Sequence, residues 1–308
     1  MWQSVTDTGD VVSKAASSAP DKPHVVRDGD KSRWFVLNGV LGGAPVLMEP
    51  SVPEPAGDVP VLEVFSLAGG VGKTSLVATL GRALSARREH VLVVEATPFE
   101  SLQYFFGACN CRPGVMRTFR PPSRSSDAPI RLASIDAEAL LRESALQGSL
   151  ASDVKSWSQG TSRVIVDVGT GSTAVVRGLS RMSTVVLVPL IPDVNSVVTA
   201  HSIDTFFERL AGPSGHPANV FYVLNQFDSS LSLHVDVRKA MQARLGKRLL
   251  PLALPRTPAI SEALAEGMTI MDYAPGSVAA AEFTSLAEWL ADIQAPAATS
   301  PRGRWSER

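Results

Sequence analysis

Residues 67–75 read LAGGVGKTS, and this stretch decides the fold of the 308-residue chain. An apolar run at 61–67 predicts a β-strand before it, and leucines at helical spacing in 73–88 predict a helix after it. Glycines between a strand and a helix let backbone N–H groups turn inward around phosphates, and the helix start adds a partial positive charge. The stretch therefore predicts a phosphate-binding loop, or P-loop.

Two side chains of this loop carry the chemistry. Lys73 is placed to reach the terminal phosphates of a nucleotide, and the Thr74 hydroxyl is placed to hold Mg²⁺. The general pattern G-x-x-x-x-G-K-[ST] has a glycine where this chain has Leu67, so the match fails at one position. A glycine-rich turn with a chance Lys-Thr pair is the alternative. We expect the nucleotide to be bound by Gly69, Gly70, Val71, Gly72, Lys73, Thr74 and Ser75.

The sequence after the P-loop alternates between apolar runs and helical patterns. Further strands are predicted at 90–96, 163–169, 184–191, 219–225 and 248–254. Helices are predicted at 136–147, 172–182, 195–211, 231–245, 259–266 and 278–294. Because the strands are continuously apolar, we expect them to be buried on both faces of a mainly parallel sheet. The fold class is therefore α/β and doubly wound, with ligands beyond the carboxyl ends of the strands.

The two ends of the chain differ from this body. Residues 1–58 are rich in Ser, Asp, Lys and Pro without a sustained period, which predicts a flexible N-terminal extension. Within it, the apolar segment at 34–43 (WFVLNGVLGG) fits either a short docking motif or a strand lying on the main domain. We expect the P-loop domain over 59–295 and a C-terminal tail over 296–308.

Composition narrows the possible function classes. Lys and Arg total 29 and Asp and Glu total 30, so the net charge of −1 argues against nucleic acid as a partner of the whole chain. Two cysteines, Cys109 and Cys111, exclude a disulfide framework and fit a reducing compartment. Neither a signal-peptide pattern nor an apolar run of about 20 residues is present, so we expect a cytoplasmic protein.

A basic, Pro-rich segment at 107–130 is predicted to be an exposed loop after the second strand. Its arginines, together with one just beyond it, form either a solvated face or a surface for nucleic acid or an acidic partner. These arginines are Arg112, Arg117, Arg120, Arg124 and Arg131.

The P-loop and the strands around it resemble those of the MinD/ParA group of ATPases. GGVGKTS (69–75) is similar to their deviant P-loop, HVLVVEATP (90–98) to their second strand and switch I, and RVIVDVGTG (163–171) to their Walker B strand and switch II. YVLNQFD (222–228) is similar to the strand that carries their adenine-contacting asparagine, here Asn225. The segment 247–290 resembles the cellulose-synthase accessory ATPases, the BcsQ (YhjQ) branch of the group.

The chain departs from the group's pattern in two places. Ala68 replaces the group's signature lysine, which reaches the partner's phosphates across a nucleotide-sandwich dimer. In switch I, Glu95 and Thr97 stand at the two positions where the group has acidic residues. Glu95 keeps a carboxylate, which orients Mg²⁺ through water. Thr97 has a hydroxyl instead, which cannot act as a base for the attacking water. With Asp167 as the Walker B carboxylate, the resemblance implies a metal site of Thr74, Glu95 and Asp167. It implies catalytic roles for Thr97 and Asp167.

The resemblance implies a regulatory protein that binds ATP and Mg²⁺ and forms an ATP-dependent homodimer with weak or negligible hydrolysis. Such a protein supports the assembly, localisation or activity of a bacterial cellulose synthase complex. Its implied partners are subunits of that complex or a small accessory protein, through which alone it is recruited to the inner membrane. Two alternatives remain open: a ParA-type DNA-partition ATPase, and a nucleotide-free scaffold of the same fold.

Overall fold

The computed structural model describes residues 59–110, 112–121, 126–136, 139, 144–179, 182–211 and 219–296. Several features of the sequence lie outside the described residues: the apolar segment at 34–43, Cys111, Arg124 and the tail after residue 296. Among the helices that are described, none is both long and apolar enough to cross a bilayer.

Eight strands form a single sheet. They are β1 (Val61–Val64), β2 (Val91–Ala96), β3 (Met116–Phe119), β4 (Ile130–Ser134), β5 (Arg163–Val168), β6 (Ser183–Leu190), β7 (Val220–Phe227) and β8 (Leu249–Pro255). Their order across the sheet is β3-β4-β2-β5-β1-β6-β7-β8, and β3 is antiparallel to β4 while the other neighbours are parallel. The doubly wound, mainly parallel α/β fold is confirmed.

Helices cover both faces of this sheet. They are α1 (Lys73–Ala86), α2 (Ser144–Trp157), α3 (Thr173–Leu179), α4 (Val194–Ala211), α5 (Ser232–Leu245), α6 (Ala259–Ala265), α7 (Ile270–Tyr273) and α8 (Val278–Ile293), with 3₁₀ turns at Leu102–Phe106 and Gly246–Arg248. Two apolar clusters result, one on each face, and neighbouring residues of a strand contribute to opposite clusters. In β1, Val61 packs in one cluster and Leu62 in the other, which explains why the central strands are mostly apolar.

The segment 107–130 is not simply the exposed loop that the sequence predicts. It contains β3, and β4 begins at its last residue. The antiparallel β3–β4 pair forms one edge of the sheet. Cys109 within it is buried. Arg117 donates to the carbonyl oxygen of Cys109 at 3.0 Å, and Arg131 donates to that of Trp157 at 2.7 Å. These two guanidinium groups therefore bind the protein's own backbone instead of forming a solvated basic face.

The helix predicted at 136–147 is described only in part, because residues 137–138 and 140–143 lie outside the described residues; Ala139 and residues 144–147 are helical. The described helix α2 begins at Ser144 and continues to Trp157, ten residues beyond the predicted end. Its polar residues at 152, 153, 155 and 156 face solvent, whereas Leu150 and Val154 are buried against the sheet. The helix therefore continues beyond its predicted end, with buried positions four residues apart.

A buried polar network lies at the amino edge of the sheet. Arg163, at the start of β5, is fully buried and donates to Glu89 Oε2 at 3.0 Å and to Gln294 Oε1 at 2.6 Å. Gln294, just after α8, donates in turn to the carbonyl oxygen of Val61 at 3.2 Å. The network therefore ties the end of the last helix to the first strand of the sheet.

Candidate nucleotide-binding site

The P-loop connects β1 to α1 and has the backbone that its glycines predict. Gly70 and Gly72 lie in the left-handed region, with φ of +72° and +84°. Gly72 is the N-cap residue of α1, and its carbonyl oxygen accepts the first helical hydrogen bond, from the Leu76 N–H at 3.0 Å. The N–H groups at this helix start have no side-chain cap within the described chain, so they are available to an anion.

A cavity of about 600 Å³ opens above the P-loop. Its walls come from the P-loop and from the loops after β2 and β5, at the carboxyl edge of the sheet where the fold predicts a ligand. The polar side chains that line it are Lys73, Thr74, Ser75, Thr97, Ser101, Thr170 and Ser172. The volume lies in the range of small-molecule and cofactor sites.

Lys73 brings a largely buried cation to this cavity. Its Nζ donates to Thr170 Oγ1 at 2.7 Å, across from the loop after β5. Burial lowers the pKa of Lys73, and the nearby Asp167 carboxylate opposes that effect. The cation thus lies where the P-loop pattern predicts it, held by a hydroxyl that the sequence alone did not single out.

Two buried carboxylates face each other across neighbouring strands. Glu95 on β2 is the register partner of Asp167 on β5, and both residues are fully buried. Burial raises the pKa of Asp167 to about 6, and the nearby Thr74 hydroxyl and the Lys73 charge partly offset it. Burial also raises the pKa of Glu95 to about 8; the Leu102 N–H, which donates to Glu95 Oε1 at 2.8 Å, lowers it, and the Asp167 charge raises it further.

The oxygen atoms of this pair fit a magnesium ion. Apart from the nearby Thr74 hydroxyl, both carboxylate oxygens of Asp167 and the Oε2 atom of Glu95 have no hydrogen-bond partner within the described part of the chain, although all are buried. Buried oxygens without partners are costly, and a bound cation would satisfy them. Together with the Thr74 hydroxyl they make the hard-oxygen donor set that Mg²⁺ prefers.

Thr97 lies in the wall of the cavity, in the loop that follows β2. Its Oγ1 donates to the carbonyl oxygen of Phe99 at 2.7 Å, so the hydroxyl supports the turn of its own loop. Phe99 is exposed at its tip. The structure thus brings Thr97 close to Glu95, whose Oε1 lies 3.5 Å from Thr97 Oγ1, while the catalytic role of Thr97 stays a prediction.

Asn225 lies behind the P-loop, at the end of β7. Its Nδ2 donates to the carbonyl oxygen of Val71 at 2.7 Å, and the side chain is almost fully buried. Contact with adenine, which the resemblance implies, stays a prediction. The next residue, Gln226, also binds the P-loop, through its Nε2 and the carbonyl oxygen of Gly70 at 3.1 Å. The sequence did not single out Gln226 or Thr170, although Gln226 directly follows Asn225 and Thr170 lies three residues after Asp167.

The fold and this site define the class: a MinD/ParA-type P-loop protein. The septum site-determining protein MinD of Pyrococcus horikoshii, solved with Mg-ADP, superposes with a TM-score of 0.62 at 17% identity over 76% of this chain and 97% of that one. More particularly, the chain belongs to the family described as "Cellulose biosynthesis protein BcsQ", whose sequence profile matches residues 59–291.

Individual relatives agree with this assignment. The cellulose biosynthesis protein BcsQ of Salmonella typhimurium is 27% identical over 251 residues, which are 74% of this chain and 93% of that protein. The chromosome partitioning protein ParA of Caulobacter vibrioides is 24% identical over 238 residues, 69% of this chain and 86% of that protein. The resemblance of the sequence to both branches is therefore confirmed, and the family match places the chain in the first.

Proposed function

We propose that this protein binds ATP with Mg²⁺ and acts as a regulatory subunit that supports a bacterial cellulose synthase complex. The observation that carries the proposal is that Lys73 and Thr74 line one cavity and both act on the buried carboxylate of Asp167, in a chain of the BcsQ family. Bound Mg²⁺ would supply charge neutralisation to the phosphates of the nucleotide. Thr74, Glu95 and Asp167 would hold it, and Lys73 together with the N–H groups at the start of α1 would bind the phosphates.

We further propose that hydrolysis is slow or negligible. Ala68 supplies no charge to a transferring phosphoryl group, and Thr97 cannot act as a base near neutral pH. Steady-state phosphate release from purified protein with Mg²⁺-ATP measures this directly. We expect turnover far below the common enzyme range, and a rate above about 1 s⁻¹ would contradict the proposal.

An ATP-dependent homodimer is the form in which the protein is proposed to act. Exposed apolar side chains support it, because they lie on the loop after β2 (Phe99) and at the start of α4 after β6 (Val194 and Val198), around the carboxyl edge of the sheet. Light scattering without nucleotide, with Mg²⁺-ATP, and with Mg²⁺-ATP plus DNA tests the state. A rise to dimer mass with ATP supports the proposal, and an unchanged monomer would favour a scaffold that does not use nucleotide.

A DNA-partition ATPase is the alternative within the same fold, and the ParA relative of Caulobacter vibrioides is the observation in its favour. Against it stand the net charge of −1 and the use of Arg117 and Arg131 in bonds to the backbone. Binding of ATP-loaded protein to nonspecific DNA, weakening steeply with salt, would support this alternative.

For partner binding we propose the 34–43 segment of the N-terminal extension, which lies outside the described residues, as the docking element. Subunits of the cellulose synthase complex, or a small accessory protein, are the proposed partners, and recruitment to the inner membrane follows from them. Pull-down with the full chain and with a Trp34→Ala/Phe35→Ala variant tests it. Equal recovery of the same partners by both proteins would refute the docking role.

A further inference from the structure

Two side-chain amides from β7 hold the backbone of the P-loop from outside the cavity. Asn225 Nδ2 donates to the Val71 carbonyl oxygen at 2.7 Å, and Gln226 Nε2 donates to the Gly70 carbonyl oxygen at 3.1 Å. The Asn225 amide is itself fixed, because its Oδ1 accepts the Gln226 N–H at 3.0 Å. These bonds join parts of the chain more than 150 residues apart, so no local turn requires them.

The direction of these bonds determines where the P-loop N–H groups point. In a trans peptide unit the C=O and N–H bonds lie antiparallel, so the Gly70 carbonyl fixes the Val71 N–H and the Val71 carbonyl fixes the Gly72 N–H. β7 lies on one side of β1, whereas the loops that line the cavity follow β5 and β2 on the other side. Carbonyls held towards β7 therefore direct both N–H groups towards the cavity.

We propose that Asn225 and Gln226 form an amide clamp, a pair of positioning residues that orients the Val71 and Gly72 N–H groups for the phosphates of the nucleotide. The clamp rests on the proposed nucleotide binding, but its effect on the P-loop backbone exists without nucleotide. Preorganised N–H groups bind an anion without the loss of freedom that a mobile loop would suffer on binding.

The backbone conformation of Gln226 supports a functional role for this residue. Its φ is +56°, in the left-handed region that residues other than Gly, Asn and Asp avoid. That conformation coincides with two bonds: the Gln226 N–H donates to Asn225, and its side chain donates to the P-loop. Strained backbone that serves no packing purpose is concentrated at functional sites. Gly72 is fitted to the clamp as well, because a Cβ atom there would lie 2.5 Å from Asn225 Nδ2.

Two substitutions of Gln226 separate the clamp from a purely structural role. Gln226→Gly removes the amide and relieves the strained φ, and Gln226→Asn tolerates that φ while its amide is one methylene too short for the 3.1 Å bond. We expect both variants to bind Mg²⁺-ATP about tenfold more weakly, as the loss of one hydrogen bond gives. Their thermal midpoints should stay the same or rise.

The matched control is Gln242→Ala. Gln242 is an exposed glutamine whose Nε2 likewise donates to a glycine carbonyl, that of Gly246 at 2.9 Å, but it lies on α5 away from the cavity. This variant should bind Mg²⁺-ATP like the wild type. Hydrogen exchange of the P-loop peptide (68–76) in nucleotide-free protein gives a second reading, and it should be faster in both Gln226 variants and unchanged in the control.

The outcomes distinguish the clamp from the proposed function. If the wild type binds Mg²⁺-ATP and the Gln226 variants bind equally well with unchanged exchange, the clamp is wrong and the proposed function stands. If the wild type binds no nucleotide, the proposed function is wrong, and the exchange of the nucleotide-free P-loop alone decides the clamp. A fall in affinity that accompanies a lower thermal midpoint in both variants would also overturn it, since it would show general destabilisation.

Discussion

Alanine at position 72 should damage the nucleotide-free protein in a way that can be worked out from the structure. Gly72 has a φ of +84°, and a Cβ atom added to it would meet Asn225 Nδ2 at 2.5 Å. Asn225 is almost fully buried and bonded at both ends of its amide, so its side chain has little room to move. Gly72→Ala therefore combines backbone strain with a steric clash.

The expected loss of stability follows from three contributions. A left-handed backbone costs an alanine about 1–2 kcal/mol. Displacing Asn225 breaks its bond to Val71, at about 1 kcal/mol. The reduced freedom of the unfolded chain returns about 0.4–1 kcal/mol to any Gly→Ala substitution. We therefore expect Gly72→Ala to lower the free energy of unfolding by about 1–3 kcal/mol.

The neighbouring glycines make a graded control series. Gly70 has a φ of +72° but open space around its Cβ position, and Gly69 has neither a left-handed φ nor a neighbour within 4 Å. Urea denaturation of the nucleotide-free variants should rank Gly69→Ala at or above the wild type, Gly70→Ala up to about 1.5 kcal/mol below it, and Gly72→Ala lowest. Equal stability of the three variants would refute the reasoning.

Three further predictions concern the carboxylates, switch I and the buried arginine. Thr97→Asp restores the group's acidic residue, and phosphate release should rise at least about tenfold; an unchanged rate would remove Thr97 from the account of slow hydrolysis. Burial gives Glu95 a pKa of about 8 in the folded chain against 4.5 when unfolded, so the folded state holds the proton between these values and the free energy of unfolding falls as pH rises from about 5 to 8. In Mg²⁺-free urea titrations at several pH values, Glu95→Gln should weaken this dependence of the free energy of unfolding on pH. The same dependence in the wild type and the variant would contradict the raised pKa of Glu95. Arg163→Ala leaves Glu89 without its buried partner and should cost about 3–5 kcal/mol, against less than about 1 kcal/mol for Arg87→Ala at an exposed pair, and equal losses would contradict the buried network.

The sequence predicted the parts of the fold in which burial is symmetrical. The mostly apolar strands β1, β2, β5 and β6 were located to within three residues at each end, because both faces of a central parallel strand are buried. The strands β3 and β4 at the edge of the sheet were not predicted, because they lack this symmetrical apolar burial. β3 is only half-buried along its length, and β4 carries Arg131, whose charge is satisfied by backbone carbonyls from the region after α2.

The site divides in a similar way. Lys73 and Thr74 could be located at the start of α1 because strand, glycines and helix must occur in a fixed order around them, whereas Asp167 was selected by the resemblance of its strand to the Walker B strand. Their roles stay predictions. The contacts of Thr170 with Lys73 and of Gln226 with Gly70 could not be predicted, because only the order of the strands in the sheet brings these distant parts of the chain together. In the sequence, only the position of Gln226 directly after Asn225 pointed to it. No periodicity or propensity predicts a glutamine with a left-handed backbone conformation.

Calorimetric titration of the full chain with Mg²⁺-ATP tests directly whether the cavity above the P-loop binds a nucleotide. Lys73→Ala removes the cation that lines the cavity, and Lys239→Ala, at a lysine that is largely exposed on α5, is the matched control. We expect saturable binding by the wild type and the control, and none detectable with Lys73→Ala. The absence of binding by the wild type, or unchanged affinity of Lys73→Ala, would contradict it.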